Sequence, residues 1–402
     1  MRLWDLYRDK QDFIKPSLER IRKACEYIGK PHRNFRSILV GGTNGKGSTC
    51  AFIEGILREA GYKTGWFVSP HLLDERERWR IRGESIPEEV LRYYIRDLRG
   101  VFEKFNLTYF EACTLLAIKY FSDEHIDIGV FEVGMGGKWD ATKVVEPEVV
   151  VLTNVGRDHT KWLGDTVEEI AKDKMNLYIK GKPFIIGEFR YPLSTFNISK
   201  DFIVGGYDFS CKGYVKDSMT VLEEYVYKDF ILDSVKLGMW GKWQITNASL
   251  ALTSIFNLAD GLSTDTLKAG LMNARIEGRF EIVREEPLIM LDCAHNPHAI
   301  SRVIKEVFKY FPSINIVFSS LKDKEWRESL KIIRNYTDSI FIVNISHPRA
   351  EDFNELGREA KSLEFKNVFM LESVSDIFKL NIDILVIGSI YLIGEVKGML
   401  KF

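Results

Sequence analysis

The stretch SILVGGTNGKGSTC, residues 37–50, decides how this chain is interpreted. An apolar strand pattern runs into glycines, a lysine and hydroxyl residues, which places backbone N–H groups and the start of a helix around a phosphate. The spacing departs from the usual P-loop: three residues, not four, separate Gly41 from the Gly45-Lys46 pair, and another glycine precedes Ser48. We predict a phosphate loop whose lysine reaches the terminal phosphates of a nucleotide. An ordinary tight turn with a surface lysine is the alternative.

Short β-rich runs alternate with helical stretches on either side of this loop. Strands are predicted at FRSILVGG, KTGWFVSP, DIGVFEVG and PEVVVLTNVG, and helices at STCAFIEGILREAGY, PEEVLRYYIRDLRGVFEKF and FEACTLLAIKYFSDEH. That alternation is typical of an α/β fold with a mostly parallel sheet and flanking helices. Residues 192–238 are aromatic and β-branched with turn glycines, so a small antiparallel patch is expected there. After two more helical stretches, strand–helix alternation restarts near residue 277.

The length of 402 residues is too great for one hydrophobic core. We predict a P-loop-like ATP-binding domain with its antiparallel patch at residues 1–276. A second, smaller Rossmann-like α/β domain is predicted at residues 277–402.

Composition narrows the class of protein. Apolar residues make up 45% and charged residues 28% of the chain, and the net charge of −1 gives no reason to expect nucleic acid or a membrane surface as a partner. The five cysteines are far apart and form no CxxC pair, and the charged start is unlike a secretory signal. These features favour a cytoplasmic location.

Two further candidates follow predicted strands. Glu132 lies near the end of one strand in GVFEVGMGGKWDAT (129–142), and His159 follows another in RDHTKWLG (157–164). Ligands of open α/β sheets collect beyond the carboxyl ends of the strands, so both suit a Mg²⁺ beside a triphosphate. Magnesium prefers carboxylates to imidazole, and a lone histidine after a strand is more often structural.

GTNGKGS resembles the nucleotide loop of the Mur ligase superfamily, in its folylpolyglutamate synthase and dihydrofolate synthase branch. FEVGMGGKWDAT, DHTKWLGDTVEEIAKDK and SPHLLDERERWRIRG (69–83) are similar to further blocks of that branch. So are the Gln-x-x-Asn-Ala, Gly-Arg-Phe-Glu and Asp-x-Ala-His-Asn-Pro segments nearer the C-terminus. The resemblance spans roughly residues 17–396.

The resemblance implies an enzyme that uses ATP to join L-glutamate to a folate-type carboxylate through an acyl phosphate. It implies one or two Mg²⁺ ions, bound by Ser69, Glu132 and His159. Lys174, by itself merely a lysine in a helix, would become a CO₂-derived carbamate that holds the second ion.

ATP contacts are expected from both domains. The implied ATP ligands are Thr43, Asn44, Gly45, Lys46, Gly47, Ser48, Asn247, Arg279 and Asp292. Lys46, Lys174 and His295 are the candidate catalytic residues. An asparagine early in a helix is more commonly a cap, and Arg279 could instead form a salt bridge between domains.

The acceptor is the least defined part of the prediction. The family pattern points to Thr108, Trp139, Asp140 and Ala141 as pterin contacts. Trp139 stands where the family usually has Leu, and Lys143 where it has Asn, so a modified pterin remains open. A cell-wall precursor as acceptor and a non-catalytic nucleotide-binding protein are the remaining alternatives. The expected partners are small molecules, and a monomer is expected.

Overall fold

The computed structural model describes residues 2–7, 16–188, 200–216 and 218–400. Its helices are α1 (Glu19–Tyr27), α2 (Lys46–Glu59), α3 (Glu88–Lys104), α4 (Tyr109–Asp123), α5 (Thr160–Leu163), α6 (Val167–Met175), α7 (Trp243–Phe256), α8 (Thr264–Asn273), α9 (Pro297–Tyr310), α10 (Trp326–Arg334), α11 (Phe353–Ser362) and α12 (Ile390–Leu400).

Most strands have the apolar, largely buried character predicted for the sheets, whereas the two-residue strand at residues 84–85 is polar and exposed. They are β1 (Arg36–Gly41), β2 (Thr64–Phe67), β3 (Trp79–Ile81), β4 (Glu84–Ser85), β5 (Ile128–Glu132), β6 (Val149–Asn154), β7 (Phe184–Glu188), β8 (Phe202–Val204), β9 (Phe209–Lys216), β10 (Met219–Tyr227), β11 (Phe230–Leu237), β12 (Glu281–Glu285), β13 (Leu288–Leu291), β14 (Asn315–Phe318), β15 (Ser339–Val343), β16 (Asn367–Leu371) and β17 (Ile384–Ile387).

The chain divides into two compact units. The larger consists of Met1–Val155, Thr166–Gly238 and Trp243–Arg275. The second consists of Gly156–Asp165, Met239–Lys242 and Ile276–Phe402.

Among the described residues of the larger unit, eight strands form one sheet in the order β4-β3-β2-β5-β1-β6-β7-β8. Strands β2, β5, β1, β6, β7 and β8 pair in parallel, whereas β3 and β4 add an antiparallel edge. β5 and β6 are buried along their whole length, as expected for parallel strands covered on both faces. Register pairs Val40 of β1 with Glu132 of β5, so the phosphate loop and this carboxylate start from neighbouring strand ends.

The antiparallel patch is confirmed for β9, β10 and β11, which pair in the order β11-β10-β9. Residues 202–204, predicted within the patch, instead extend the large sheet in parallel with β7, because their short apolar run continues its buried surface. Residues 192–199 of the predicted patch lie outside the described residues.

In the described part of the second unit, six strands form a sheet in the order β12-β13-β17-β14-β15-β16. All neighbours pair in parallel except β12, which pairs antiparallel with β13. The predicted α/β class with a second sheet domain is therefore confirmed. None of the described helices is long and apolar enough to cross a membrane.

Candidate functional site

The predicted phosphate loop joins the end of β1 to the first turn of α2. α2 begins at Lys46, two residues before the predicted start, and Gly45 is its N-cap with a φ of +83°. Glycine adopts this left-handed backbone without a steric penalty. Residues 43–48 therefore lie at a helix N-terminus, where free N–H groups and the helix dipole favour an anion.

The loop is held against the end of β6. The N–H of Thr43 donates to the carbonyl of Asn154 (3.0 Å), and the N–H of Asn44 donates to the side-chain oxygen of the same asparagine (3.0 Å). In return, Thr153 Oγ1 and Asn154 Nδ2 donate to the carbonyl of Asn44 (2.7 and 2.8 Å). The sequence reasoning missed these two β6 residues, although their position at a strand end was a usable signal.

Lys46 directs its amine over this loop. Its Nζ lies 3.1 Å from the carbonyl of Gly42 and 3.2 Å from that of Thr43. The cation thus sits at the N-terminus of α2, where the helix N–H groups add to its positive potential.

Asn247 lies on α7 and packs against the loop. A Cβ added to Gly45 would be 2.6 Å from Asn247 Oδ1, so the amide packs directly on the loop backbone. Its Nδ2 donates to Gln244 Oε1 (2.9 Å), and Gln244 Nε2 lies 3.4 Å from the buried hydroxyl of Ser48. Asn247 lies in the second turn of α7, past the position of a helix cap.

Lys174 reaches the same loop from α6. Its side chain is buried, and its Nζ donates to the carbonyl of Gly42 at 3.3 Å. The glycine turn after β5 packs on this end of α6: the N–H of Gly137 donates to Asp173 Oδ2 (2.7 Å). A Cβ at Gly137 would approach the Lys174 carbonyl to 2.8 Å, so this close packing requires glycine.

Glu132 and Ser69 meet at the strand ends. The buried carboxylate of Glu132 accepts a hydrogen bond from the backbone N–H of Ser69 at 3.2 Å. The larger unit contains Glu132 and Ser69, and it also contains Lys174 and the phosphate loop.

Four further predicted site residues lie in the second unit. They are His159, Arg279, Asp292 and His295. The predicted approach of Glu132 to His159 stays a prediction.

Asp158 is the centre of a buried cluster in the second unit. It lies 2.7 Å from Lys324 Nζ, 3.1 Å from Asn296 Nδ2 and 3.5 Å from His295 Nε2. Burial alone would raise the pKa of Asp158, but the hydrogen bond from His295 and the Lys324 charge hold that pKa below its ordinary value. Its Oδ1 also accepts from the N–H of His159 (2.8 Å), which fixes that segment. The sequence reasoning missed Lys324, since only the fold brings it to residue 158.

Asp292 holds the turn that carries Arg279. Its buried carboxylate accepts from the N–H groups of Phe280 (2.9 Å) and Ala294 (2.8 Å). Burial raises the pKa of Asp292, and the nearby Arg279 charge opposes that shift. The carboxylate therefore has a structural role in this turn, beside its predicted contact with ATP.

The predicted acceptor contacts fall on two adjoining elements. Thr108 caps α4 through its hydroxyl, and Ala141 begins a 3-10 helix (residues 141–145) that packs on α4. Asp140 caps that 3-10 helix, and its carboxylate also accepts from the N–H of Met135 (2.9 Å). Burial raises the pKa of Asp140. Trp139 is 48% exposed, and its contact with a pterin stays a prediction.

The predicted magnesium ligands include one carboxylate, that of Glu132. Within the described ranges, no group of three or more His, Cys, Asp or Glu side chains is placed to hold a metal ion. Mg²⁺ usually takes one or two carboxylates and completes its shell with water and phosphate oxygens. A buried carboxylate on the strand next to the phosphate loop fits that chemistry.

Comparisons with known proteins cover both units. Residues 40–255 match the Mur ligase middle domain, and residues 278–393 match the Mur ligase glutamate ligase domain. The dihydrofolate synthase/folylpolyglutamate synthase of Bacillus subtilis is 30% identical over 96% of both chains.

Solved structures of the same family have a similar fold. Folylpolyglutamate synthase of Mycobacterium tuberculosis, complexed with ADP and AMPPCP, superimposes with a TM-score of 0.89 at 26% identity over 96% of each chain. Escherichia coli FolC in complex with DHPP and ADP gives a TM-score of 0.87 at 27% identity, covering 100% of this chain and 98% of that one.

Proposed function

Because this chain belongs to the Mur ligases, in the branch of the dihydrofolate and folylpolyglutamate synthases, we propose that it joins L-glutamate to a folate-type carboxylate. It is an ATP-dependent ligase. The observation that carries the proposal is the meeting of Lys46, Lys174 and Asn247 on one glycine-rich loop at a helix N-terminus.

The proposed reaction has two steps. The acceptor carboxylate attacks the γ-phosphate of ATP, which gives an acyl phosphate and ADP. The amino group of glutamate, after losing a proton, then attacks the acyl carbon, and phosphate leaves. Activation is needed because hydroxide is too poor a leaving group for direct amide formation at neutral pH.

The residues of the larger unit supply positioning and charge. The N–H groups of residues 43–48 orient the phosphates, and Lys46 neutralises the charge that spreads over the γ-phosphoryl oxygens. Asn247 faces the loop with its amide oxygen and is proposed to contact the nucleotide. Such preorganised groups act mainly by holding the reactants in line.

Magnesium and a modified lysine complete the proposed site. Ser69, Glu132 and His159 would hold Mg²⁺, which neutralises triphosphate charge when bound. A carbamate on Lys174 would provide a second anion there, and its buried amine beside the Gly42 carbonyl is the supporting observation. Depletion of dissolved CO₂ should then lower activity, and bicarbonate should restore it.

The second unit is proposed to act on ATP and on the amino acid. Arg279 and Asp292 are expected to contact ATP, and His295 to steer the amino acid or the phosphate. His295 Nδ1 lies 2.9 Å from the carbonyl of Cys293, a contact that fixes the ring orientation.

A modified pterin remains a candidate acceptor. One departure from the family pattern, Lys143, donates a hydrogen bond from its Nζ to the backbone carbonyl of Asn176. Trp139 is exposed in the same loop, with Lys138 Nζ 4.9 Å from its ring centroid. Trp139 and Lys143 flank the predicted contacts Asp140 and Ala141 in the chain, so we propose that they affect which pterin binds.

The decisive experiment offers the pure protein dihydropteroate, dihydrofolate and tetrahydrofolate separately, with ATP, Mg²⁺ and labelled glutamate. We expect ADP release that requires acceptor and glutamate together, and a product whose mass has increased by glutamate residues. Lys46→Ala should abolish both. ATP turnover independent of any acceptor, or ligation only to a nucleotide-sugar precursor, would refute the proposal.

A further inference from the structure

Glu75 is a buried carboxylate that the proposed chemistry does not use. It lies in a 3-10 helix, Glu75–Arg78, within the 69–83 block, and is 5% exposed. Its Oε2 accepts from the N–H of Leu3 (2.9 Å) and its Oε1 from the N–H of Trp4 (3.0 Å). Both oxygens are therefore held by the N-terminal segment (residues 2–7).

A third donor reaches the same carboxylate. The hydroxyl of Tyr109 donates to Glu75 Oε1 at 2.7 Å. Tyr109 is the first residue of α4 and directly follows Thr108, one of the predicted pterin contacts. Glu75 thus connects the N-terminal segment to the start of α4.

Aromatic packing reinforces this connection. The rings of Trp4 and Tyr7 meet the Tyr109 ring edge-on, with centroids 5.0 and 5.8 Å away. The guanidinium of Arg78 lies 5.4 Å from the centroid of the same ring. Leu3 and Tyr7 are buried in the main core of the larger unit, so the segment is firmly seated.

The start of α4 also touches the loop after β5. A Cβ added to Gly134 would lie 2.5 Å from Cζ of Phe110, so the ring packs on that backbone. Asp140 and Ala141 follow in the same loop. A shift in the first turn of α4 would therefore move both elements that carry predicted acceptor contacts.

We propose that Glu75 is a positioning residue of the acceptor site, and that residues 2–7 fix it so that Tyr109 places the first turn of α4 against the acceptor. The inference rests on the proposed function, because it needs a folate-type acceptor to bind there. A carboxylate that accepts three short hydrogen bonds is strongly oriented. A hydrogen bond to a charged group contributes more to stability than one between neutral groups.

Tyr109→Phe gives the direct test, because it removes one hydroxyl and keeps the ring. We expect the KM for the acceptor to rise roughly ten- to a hundred-fold, the range for a lost hydrogen bond to a charged group. The KM for ATP should stay within about two-fold.

Tyr225→Phe is the matched control. Tyr225 is also buried in the larger unit, and its hydroxyl bonds to Thr253 Oγ1 at 2.8 Å. The Tyr225→Phe change should lower the midpoint of thermal unfolding, as Tyr109→Phe does. It should leave the KM values for ATP and for the acceptor unchanged.

Glu75→Ala supplies a second variant in a double-mutant cycle. It should raise the acceptor KM by itself, and Tyr109→Phe should then add little, because the two changes remove the same contact. Fully additive effects, or equal rises in the KM values for ATP and acceptor, would overturn the inference.

The wild-type protein separates the two levels of failure. Suppose that the wild type uses a pterin acceptor, and that the Tyr109→Phe and Tyr225→Phe variants have the same KM for it. Then only the positioning role is refuted. If it uses no pterin acceptor at all, the proposed function fails and this inference fails with it.

Discussion

At the scale of single residues, Gly45 and Gly61 offer a matched pair at the two ends of α2. Both have a left-handed backbone, with φ of +83° and +89°. A Cβ at Gly45 would lie 2.6 Å from Asn247 Oδ1, whereas one at Gly61 would meet nothing within 4 Å. Either Gly→Ala change should cost about 1–2 kcal/mol of stability through backbone strain.

Only Gly45→Ala should also weaken nucleotide binding, since it displaces Asn247 from the loop. Calorimetric titration with ADP, alongside thermal unfolding of both variants, checks this prediction. Equal ADP affinity in the two variants would contradict it.

His32 should make stability depend on pH. Burial lowers its pKa from the ordinary 6.5, and Glu146 opposes the shift only in part. Below about pH 6.5 the unfolded chain therefore takes up a proton that the folded ring refuses, so stability falls as the pH falls. The slope from this residue is at most about 1.4 kcal/mol per pH unit.

His32→Leu should flatten this part of the acid dependence. Urea unfolding of wild type and variant at a series of pH values measures the difference in slope. A variant that loses stability as steeply as the wild type would show that His32 is not responsible.

The role of a site residue can be predicted from the sequence where the residues that form the site are neighbours in the chain. Lys46 could be identified because its loop is continuous and local. Lys174 could not be assigned from the residues alone, because its contact with Gly42 joins positions far apart in the chain. Asp158 and Lys324 illustrate the same limit within the second unit.

At the scale of elements, α6 should depend on its packing against the turn after β5. Gly137→Ala would place a Cβ 2.6 Å from the carbonyl of Asp173 and 2.8 Å from that of Lys174, so the end of α6 must shift. We expect kcat to fall at least about ten-fold if Lys174 is catalytic, since it would lose its alignment with the loop.

Gly100→Ala is the control for this change. Gly100 lies within α3 with nothing within 4 Å of its added Cβ, so alanine should stabilise the helix by about 0.5–1 kcal/mol and leave kcat unchanged. Steady-state kinetics of both variants measures kcat, and thermal unfolding measures their stability. An unchanged kcat in Gly137→Ala would argue against the role of Lys174.

Element prediction succeeded for long apolar runs and failed for short polar ones. The buried strands β1, β5 and β6 were evident from continuous apolar residues. β3 and β4 are three and two residues long, and their pairing comes from the sheet edge beside β2 and not from local pattern. α2 begins two residues before its predicted start, because Lys46 and Gly47 are not apolar and do not extend the helical pattern.

At the scale of the whole molecule, ADP should stabilise the folded chain by mass action. A ligand present at 100 times its dissociation constant adds about 2.7 kcal/mol to the free energy of unfolding. Thermal unfolding with increasing ADP should therefore show a rising midpoint, and Lys46→Ala should remove most of the rise. A midpoint independent of ADP would contradict the nucleotide site.

The second compact unit is assembled from three separate stretches of the chain, which includes Gly156–Asp165 from between β6 and α6. A gene cut after Arg275 would not yield two self-sufficient halves. The first half would contain Asp158, whereas Lys324, His295 and Asn296 would be in the other half. The Asp158 carboxylate would then lack its ion-pair partner Lys324. Attempts to produce either half alone should give poorly soluble material, and co-expression of both fragments is the route by which a split version could be recovered.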